Sequence, residues 1–524
     1  MAYTPRVAAS WPEPCIAGGH CGFFLLLART VVAALRSLPR RELTWTLALL
    51  LVGLGLRLLE PTRLVMIYSA YEWTDQVARF TGIGRYGAST TVLYRLLFSL
   101  VPPDHEAIVT LHRAAGALTL PVLAALLARC WPPPGAVALF TLLLAALPLF
   151  VRDHATESIL VPIVLWLSAG LLLLDRALQE QTPGPAAAAA VFFLGLALTG
   201  RPEMIAVVPM LAAALVLVRR GLAGWRWLLG GGALLGLLGL PHLLHIRAQQ
   251  TEMAAHGALA LLDHSYWQTL ANRGLSAHIA FHPKLFPTAV TALALLSLRH
   301  PAGRKVRLAV LALTLLWLAV VLVDLPNTSI ARLQAPLAML WTALAAWGLA
   351  AEMQRRRPRM WLAGGTAAVA LTALPTHQHL RLWTNEDQTE HLWRRALPQL
   401  PDRGACLVAL TARDQPEPGK VQRAVPAYLL RPPHRQLQLV PLDTWLSAAP
   451  PCPSGAFLLV DPRCYASYHR PPGLPPLLSS CAAALERAEP LDAWTLANLG
   501  DNEYGYYGDI QRFQVGLYRL WPGR

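Results

Sequence analysis

Long apolar runs alternate along the chain with short polar breaks. Eleven of the runs approach the roughly 20 residues that a helix needs to cross the hydrocarbon of a bilayer. They fall at about 43–59, 107–128, 135–151, 158–174, 186–200, 203–218, 225–245, 284–298, 309–325, 333–350 and 360–375. Only Gly200-Arg201-Pro202 separates the fifth from the sixth. The segment 23–35 is apolar but short, and Arg29 interrupts it, so the pattern predicts a helix lying on the membrane surface. The first twenty residues are polar and lack an early basic-apolar order, so no cleavable signal peptide is expected. After residue 375 the pattern shortens. Stretches at 406–410, 437–440, 457–460 and 515–520 read as strands, and 387–397 and 477–488 as helices. Proline-rich links such as Arg431-Pro432-Pro433 separate them.

Composition agrees with a membrane protein. Of 524 residues, 14% are charged and 55% hydrophobic, against about 25% charged in ordinary soluble domains. So few charges cannot cover a soluble surface, and disorder would need the opposite balance. The net charge of +15 would in a soluble protein point to nucleic acid. Here the basic residues lie mostly in short loops, where they report orientation instead. Arg36, Arg40 and Arg41 precede the first run, and alternate loops hold Arg129, Arg176, Arg219-Arg220, Arg299 with Arg304-Lys305-Arg307, and Arg355-Arg356-Arg357 with Arg359. Eleven spans place all of these on the cytoplasmic side. The expected organisation is a cytoplasmic segment 1–42, a transmembrane domain 43–375 with an exported loop 60–106, and an exported α/β domain 376–524. Cysteines divide along the same line. Cys15, Cys21 and Cys130 fall on the cytoplasmic side, and Cys406, Cys452, Cys464 and Cys481 in the tail. The four in the tail allow two disulfides in three connectivities, and unpaired buried thiols are the alternative.

Polar groups at membrane depth are costly, so those at the exported ends of the spans are the functional candidates. The first exported loop holds Glu60, Tyr71, Glu72, Trp73, Asp75 and Arg79 in a pattern that also suits a solvated amphipathic helix. Asp153 and Glu157 open the fourth run four residues apart, on one helical face. Acids there could equally cap a helix start. Arg201 and Glu203 lie between two runs, where each could neutralise the other. Arg332 opens the tenth run against the charge bias seen elsewhere. A guanidinium suits bidentate phosphate binding, and a snorkelling arginine is the alternative. His256, His264, His278 and His282 follow no metal-binding spacing. In the tail, Tyr504, Tyr506 and Tyr507 could stack on a sugar or simply form a Tyr/Gly loop.

Taken in order, several short motifs resemble the GT-C superfamily of polytopic glycosyltransferases, which includes protein O-mannosyltransferases and lipid A aminoarabinose transferases. They are Leu54-Gly55-Leu56-Arg57-Leu58, the acidic Tyr71-Glu72-Trp73-Thr74-Asp75, Tyr86-Gly87 and Leu93-Tyr94-Arg95-Leu96-Leu97. Leu111-His112-Arg113-Ala114-Ala115-Gly116, Thr156-Glu157-Ser158, Leu196 to Glu203, and Arg332 through Pro336 follow. The resemblance covers roughly residues 43–350. It departs from the family pattern at Tyr71, where the family carries a catalytic Asp, and at Leu333, where the signature often has Tyr.

The resemblance implies an α-helical polytopic membrane protein, a GT-C-like bundle of about eleven helices with a C-terminal α/β domain. It implies inverting transfer of a sugar from a polyprenyl-phosphate-linked donor to an acceptor hydroxyl on the exported face. Glu72, or Asp75 in its place, would take the acceptor proton. Asp153 and Glu157 would orient hydroxyls, and Arg332, Arg201 and Arg113 would hold the lipid phosphate. No cofactor is required, and a divalent ion between the acidic loops is the one addition some members make. The partners are membrane lipid, the lipid-linked donor and a glycan, lipid or protein acceptor, with no nucleic acid. A bacterial inner membrane is the expected location, with the N-terminus cytoplasmic and the tail periplasmic. Two other classes compete. A lipid or sugar transporter would show internal repeats and midspan polar groups, which this chain lacks. A non-catalytic GT-C-like protein would fit the departure at Tyr71.

Overall fold

The computed structural model describes residues 19–59, 105–130, 132–154, 160–180, 184–200, 204–249, 286–300, 308, 310–315, 335–355, 358–386, 395–401, 403–409, 436–460, 464, 477–498 and 511–521. The membrane part is helical. In chain order its helices are α1 (Gly19–Arg36), α2 (Arg40–Leu59), α3 (His105–Arg129), α4 (Ala136–Ala146), α5 (Pro148–His154), α6 (Leu160–Gln179) and α7 (Gly184–Leu198). α8 (Met204–Arg220), α9 (Trp225–Gln249), α10 (Thr288–Leu296), a stretch at 310–315, α11 (Ala335–Arg355) and α12 (Pro358–Glu386) complete it. Four helical stretches, Thr110–Arg129, Leu160–Gln179, Met204–Leu240 and Ala335–Arg355, are long and apolar enough to cross a membrane. Shorter apolar helices lie at Ala136–Ala146, Gly184–Leu198 and Thr288–Arg299. With its sparse charge, the chain is an integral, polytopic helical membrane protein.

Lipid is as apolar as the core, so close packing holds such helices together. Gly348 of α11 shows how tight the approach is. A Cβ there would stand 2.6 Å from the Leu293 carbonyl oxygen of α10. Outward faces stay apolar: Leu51 and Val52 on α2, Leu229 and Leu237 on α9, and Leu371 and Leu374 on α12 are all exposed.

Two local readings change. The third apolar run is two helices, because Pro148 has no N–H to continue the ladder and holds Leu147 extended (φ −66°, ψ 126°). The N-terminal apolar segment is wedged into the side of the bundle. Phe24 meets the rings of Trp166 and Phe193, while Thr30 accepts a hydrogen bond from Arg176. Trp166 lies ten residues, or about 15 Å of helix, in from Arg176, so α1 reaches well below the surface.

Polar contacts between helix ends fix the direction of each helix. Buried Asp175, near the end of α6, accepts from Arg129 at the end of α3 and from Arg219 at the end of α8, each at 2.5 Å. Gln179 adds a third donor at 3.0 Å, and Arg219 also reaches the Arg129 carbonyl at 2.7 Å. Glu42, at the start of α2, caps the Val137 N–H at the start of α4. Gln354, at the end of α11, donates to the Pro134 carbonyl, and Glu352 pairs with His300 just past α10. The described loop arginines therefore gather at one basic end. By continuity, α2, α4 with α5, α7, α9 and α12 run away from it, and α3, α6, α8, α10 and α11 run toward it.

The tail holds a five-stranded sheet in the order β2-β1-β3-β5-β4. Its strands are β1 (Arg403–Ala409), β2 (Gln436–Pro441), β3 (Ala456–Val460), β4 (Ala488–Asn498) and β5 (Gln511–Leu520). β1 pairs in parallel with β2 and β3, while β5 pairs antiparallel with β3 and β4. Short helices α13 (Leu442–Ser447) and α14 (Ser479–Leu485) accompany it. Its core includes Leu407, Phe457, Leu458, Val515 and Leu517. Two disulfides select one of the three connectivities, Cys406–Cys452 and Cys464–Cys481, with Cα separations of 5.5 and 5.7 Å. The strand β4 has no counterpart in the sequence reading. Pro490 and two acids disguise it, and Pro490 is tolerated because β4 is an edge strand with an irregular register between Pro490 and Asp492.

Candidate functional site

At the end of the bundle opposite the basic loops, called the mouth below, α2, α5 and α3 meet. Arg57 lies in the last turn of α2 and is fully buried. Its Nε donates to His154 Nδ1 at 2.6 Å, Nη1 to the Gly53 carbonyl at 3.1 Å and Nη2 to the Leu144 carbonyl at 2.8 Å. The Leu144 carbonyl is available because its regular partner, four residues on, is Pro148. His154, the last residue of α5, is buried against Gly116 of α3. A Cβ at Gly116 would stand 2.4 Å from the imidazole Cγ, so only glycine leaves room for the ring.

Of the candidate residues read from the sequence, two lie in described helices at this end. Arg113 sits on α3 one turn before Gly116, half-buried, beside fully buried His112. Asp153 is the penultimate residue of α5. It closes that helix, where the sequence pattern had it opening the next, because the proline break starts a separate short helix that ends at His154. Glu72, Asp75, Glu157, Arg201 and Arg332 lie outside the described residues, as does the histidine-rich stretch. Their flanking residues are described. Leu59 and His105 bracket the first loop, His154 and Leu160 bracket Glu157, Gly200 and Met204 bracket Arg201, and Ala335 follows Arg332 by three residues. On the helix directions above, every one of these flanks lies at the mouth end.

A small apolar groove lies between α8, the stretch 310–315 and α11. Val207, Met210, Leu211, Leu313, Pro336 and Leu337 line it. It occupies the first turns of α8 and α11, the part of each nearest the mouth. Trp341 Nε1 donates to Thr314 Oγ1 at 2.9 Å and ties α11 to the neighbouring stretch.

Among the described residues, no group of three or more His, Cys, Asp or Glu converges to hold a metal. Glu72, Asp75 and Glu157, which would hold an ion between the two acidic loops, are outside those residues. Arg57 and His154 were not candidates on the sequence. Arg57 read as part of an apolar motif and His154 as a neighbour of two acids, and only the proline break inside an apolar run hinted that a buried donor was needed.

No protein-family model matches the sequence, and no curated protein matches it. Three solved structures are similar over most of this chain. The oligosaccharyltransferase of Archaeoglobus fulgidus, in complex with zinc and sulfate, is 12% identical with a TM-score of 0.39, covering 70% of this chain and 60% of its own. ArnT from Cupriavidus metallidurans in the apo state is 14% identical with a TM-score of 0.37, covering 80% and 92%. ArnT from the same organism, bound to undecaprenyl phosphate, is 13% identical with a TM-score of 0.48, covering 92% of this chain and 97% of its own.

Proposed function

We propose that this protein is a GT-C-type glycosyltransferase that moves a sugar from a polyprenyl-phosphate-linked donor to an acceptor hydroxyl at the exported face of a bacterial inner membrane. One observation carries the reading: the segments holding Glu72, Asp75, Glu157, Arg201 and Arg332 all attach to the same end of the bundle, beside an apolar groove. Arg201 and Arg332 each stand three residues before the first residue of a groove-lining helix. Three residues span at most about 10 Å, which supports the reading that both guanidiniums serve the groove. A polyisoprenoid chain in the groove and its phosphate at those arginines match that chemistry.

Orientation follows from two independent physical rules. The basic end fits the positive-inside bias. The tail leaves α12 at the other end and carries two disulfides, which persist in oxidising compartments. Both support a reading in which the mouth and the α/β domain 376–524 lie outside the cytoplasm, with about eleven crossings between residues 43 and 375. In the reaction, Glu72 or Asp75 removes the acceptor proton as the new glycosidic bond forms. The lipid phosphate departs with the bonding electrons, its charge held by Arg332, Arg201 and Arg113. Asp153 and Glu157 orient sugar or acceptor hydroxyls.

The test is sugar transfer in membranes carrying Glu72→Gln, Asp75→Asn and the double variant. The double variant is expected to lose about 100-fold or more, and normal transfer by all three removes the base assignment. Arg332→Ala is expected to weaken binding of undecaprenyl phosphate, and unchanged affinity removes its role. Impermeant thiol labelling of cysteines placed at Trp73 and Gln334 should reach both from the same side of sealed vesicles. Labelling from opposite sides overturns the proposal. A donor-binding protein without turnover is the second reading. Tyr71 at the family's usual Asp position favours it, and bound donor with no transfer identifies it.

A further inference from the structure

The buried pair Arg57–His154 has no part in the chemistry above, yet it joins three helices at the mouth. An arginine Nε–H can only donate, so His154 Nδ1 must offer a lone pair and the ring is neutral, with its proton on Nε2. The same guanidinium closes the Leu144 carbonyl that Pro148 leaves open, and reaches back to Gly53 on its own helix. A freed carbonyl inside a membrane protein needs such a partner. One side chain of α2 therefore pins both sides of the proline break, the end of α4 and the end of α5. Gly53 brings α2 close enough for this, since a Cβ there would stand 3.1 Å from Ala145 Cβ of α4. Gly116 presses the imidazole from the third side. Asp153 precedes His154 directly, and Glu157 follows it by three residues.

We propose that Arg57 and His154 are positioning residues: the Arg57 Nε–H···Nδ1 His154 hydrogen bond sets the angle of α5 after the proline break, and so the direction in which the chain runs on from His154. The role assigned to Asp153 and Glu157 rests on the transferase reading, but the positioning itself does not. Two variants of His154 separate the hydrogen bond from mere packing. In His154→Asn the amide oxygen stands near the place of Nδ1 and can still accept from Arg57. In His154→Gln the oxygen stands near the place of Nε2, out of line with Arg57.

The first measurement is the distance distribution between nitroxides at Ala114 and Ser158, by pulsed electron resonance on the full chain in nanodiscs. The wild type and His154→Asn should give one narrow peak, and His154→Gln and Arg57→Met a broad or shifted one. Equal distributions in all four overturn the proposal. The second is sugar transfer. Gln at position 154 should lower kcat about 100-fold, the scale of an ångström-sized misplacement. Donor KM should stay within about threefold, because binding is not what is lost. Asn should restore most of kcat. Loss of kcat in Asn and Gln alike marks a catalytic or packing role for the imidazole and overturns the positioning role. If the wild type transfers no sugar while the distances behave as stated, the transferase reading fails and the positioning pair stands.

Discussion

The two ends of the helical bundle bury arginines in opposite ways. At the basic end, Arg129 and Arg219 close on the single carboxylate of Asp175, and Arg176 pairs with Glu180 one turn on. At the mouth, the described partners of Arg57 are neutral, a ring nitrogen and two main-chain carbonyls. The first arrangement joins the ends of α3, α6 and α8 charge against charge and leaves nothing to shape. The second uses a cation to satisfy and aim main chain beside the segments that hold the candidate acids. The difference separates a latch that fixes topology from a bracket that fixes geometry.

Asp175→Asn tests the latch and should have the largest effect. It leaves two largely buried guanidiniums without their carboxylate, and breaking such a group costs about 3–5 kcal/mol. Unfolding in detergent by denaturant reads it, and a loss below 1 kcal/mol, on the order of a surface pair, would erase the contrast between the ends. Next come the staples of the tail. Loops of 46 and 17 residues correspond to about 4 and about 3 kcal/mol of unfolded-state entropy. Cys406→Ser with Cys452→Ser should therefore lower the tail's melting temperature more than Cys464→Ser with Cys481→Ser. Neither should alter the unfolding of the helical part. At the mouth, Gly116→Ala drives a methyl into the His154 ring, and overpacking of this kind costs about 1–3 kcal/mol. The same change at Gly55, which has open space around it, should be neutral or mildly stabilising by the same melting measurement.

The smallest effect lies in the exposed tail. Arg395 donates twice to Asp492, at 2.6 and 2.7 Å, and stacks over Trp494 at 4.2 Å, while Gln399 adds a donor at 3.0 Å. The hydrogen bonds from Arg395 hold the Asp492 carboxyl below its ordinary value, against an opposing push from burial. A depressed folded-state pKa contributes stability above the ordinary aspartate pKa, and that contribution fades as pH falls through the lowered value. Trp494 fluorescence during melting should show a shallow acid-side loss in the wild type and none of this component in Asp492→Asn.

Much of the helical framework was legible because its signal is local. Apolar runs and arginine-marked loops give position and direction, and the contacts of Asp175, Glu42 and Gln354 gather the described loop arginines at one end. The weakly separated runs around Pro202 are two helices, α7 and α8. Three things were hidden. β4 carries a proline and acids, and only its edge position in the sheet makes that tolerable. The split at Pro148 was visible as a residue, but the partner that makes it bearable comes from position 57. Arg113 and Asp153 could be named as polar residues near span ends, but His154, beside Asp153, is held by a glycine three residues from Arg113 on another helix. Pairing across 97 residues, as between Arg57 and His154, leaves no periodic trace in the sequence.

The helix α12 is 29 residues long, about 43 Å from end to end, against about 30 Å of hydrocarbon. The surplus of about 13 Å, more than two turns, leaves this helix either to cross at a tilt or to stand beyond the hydrocarbon at one end.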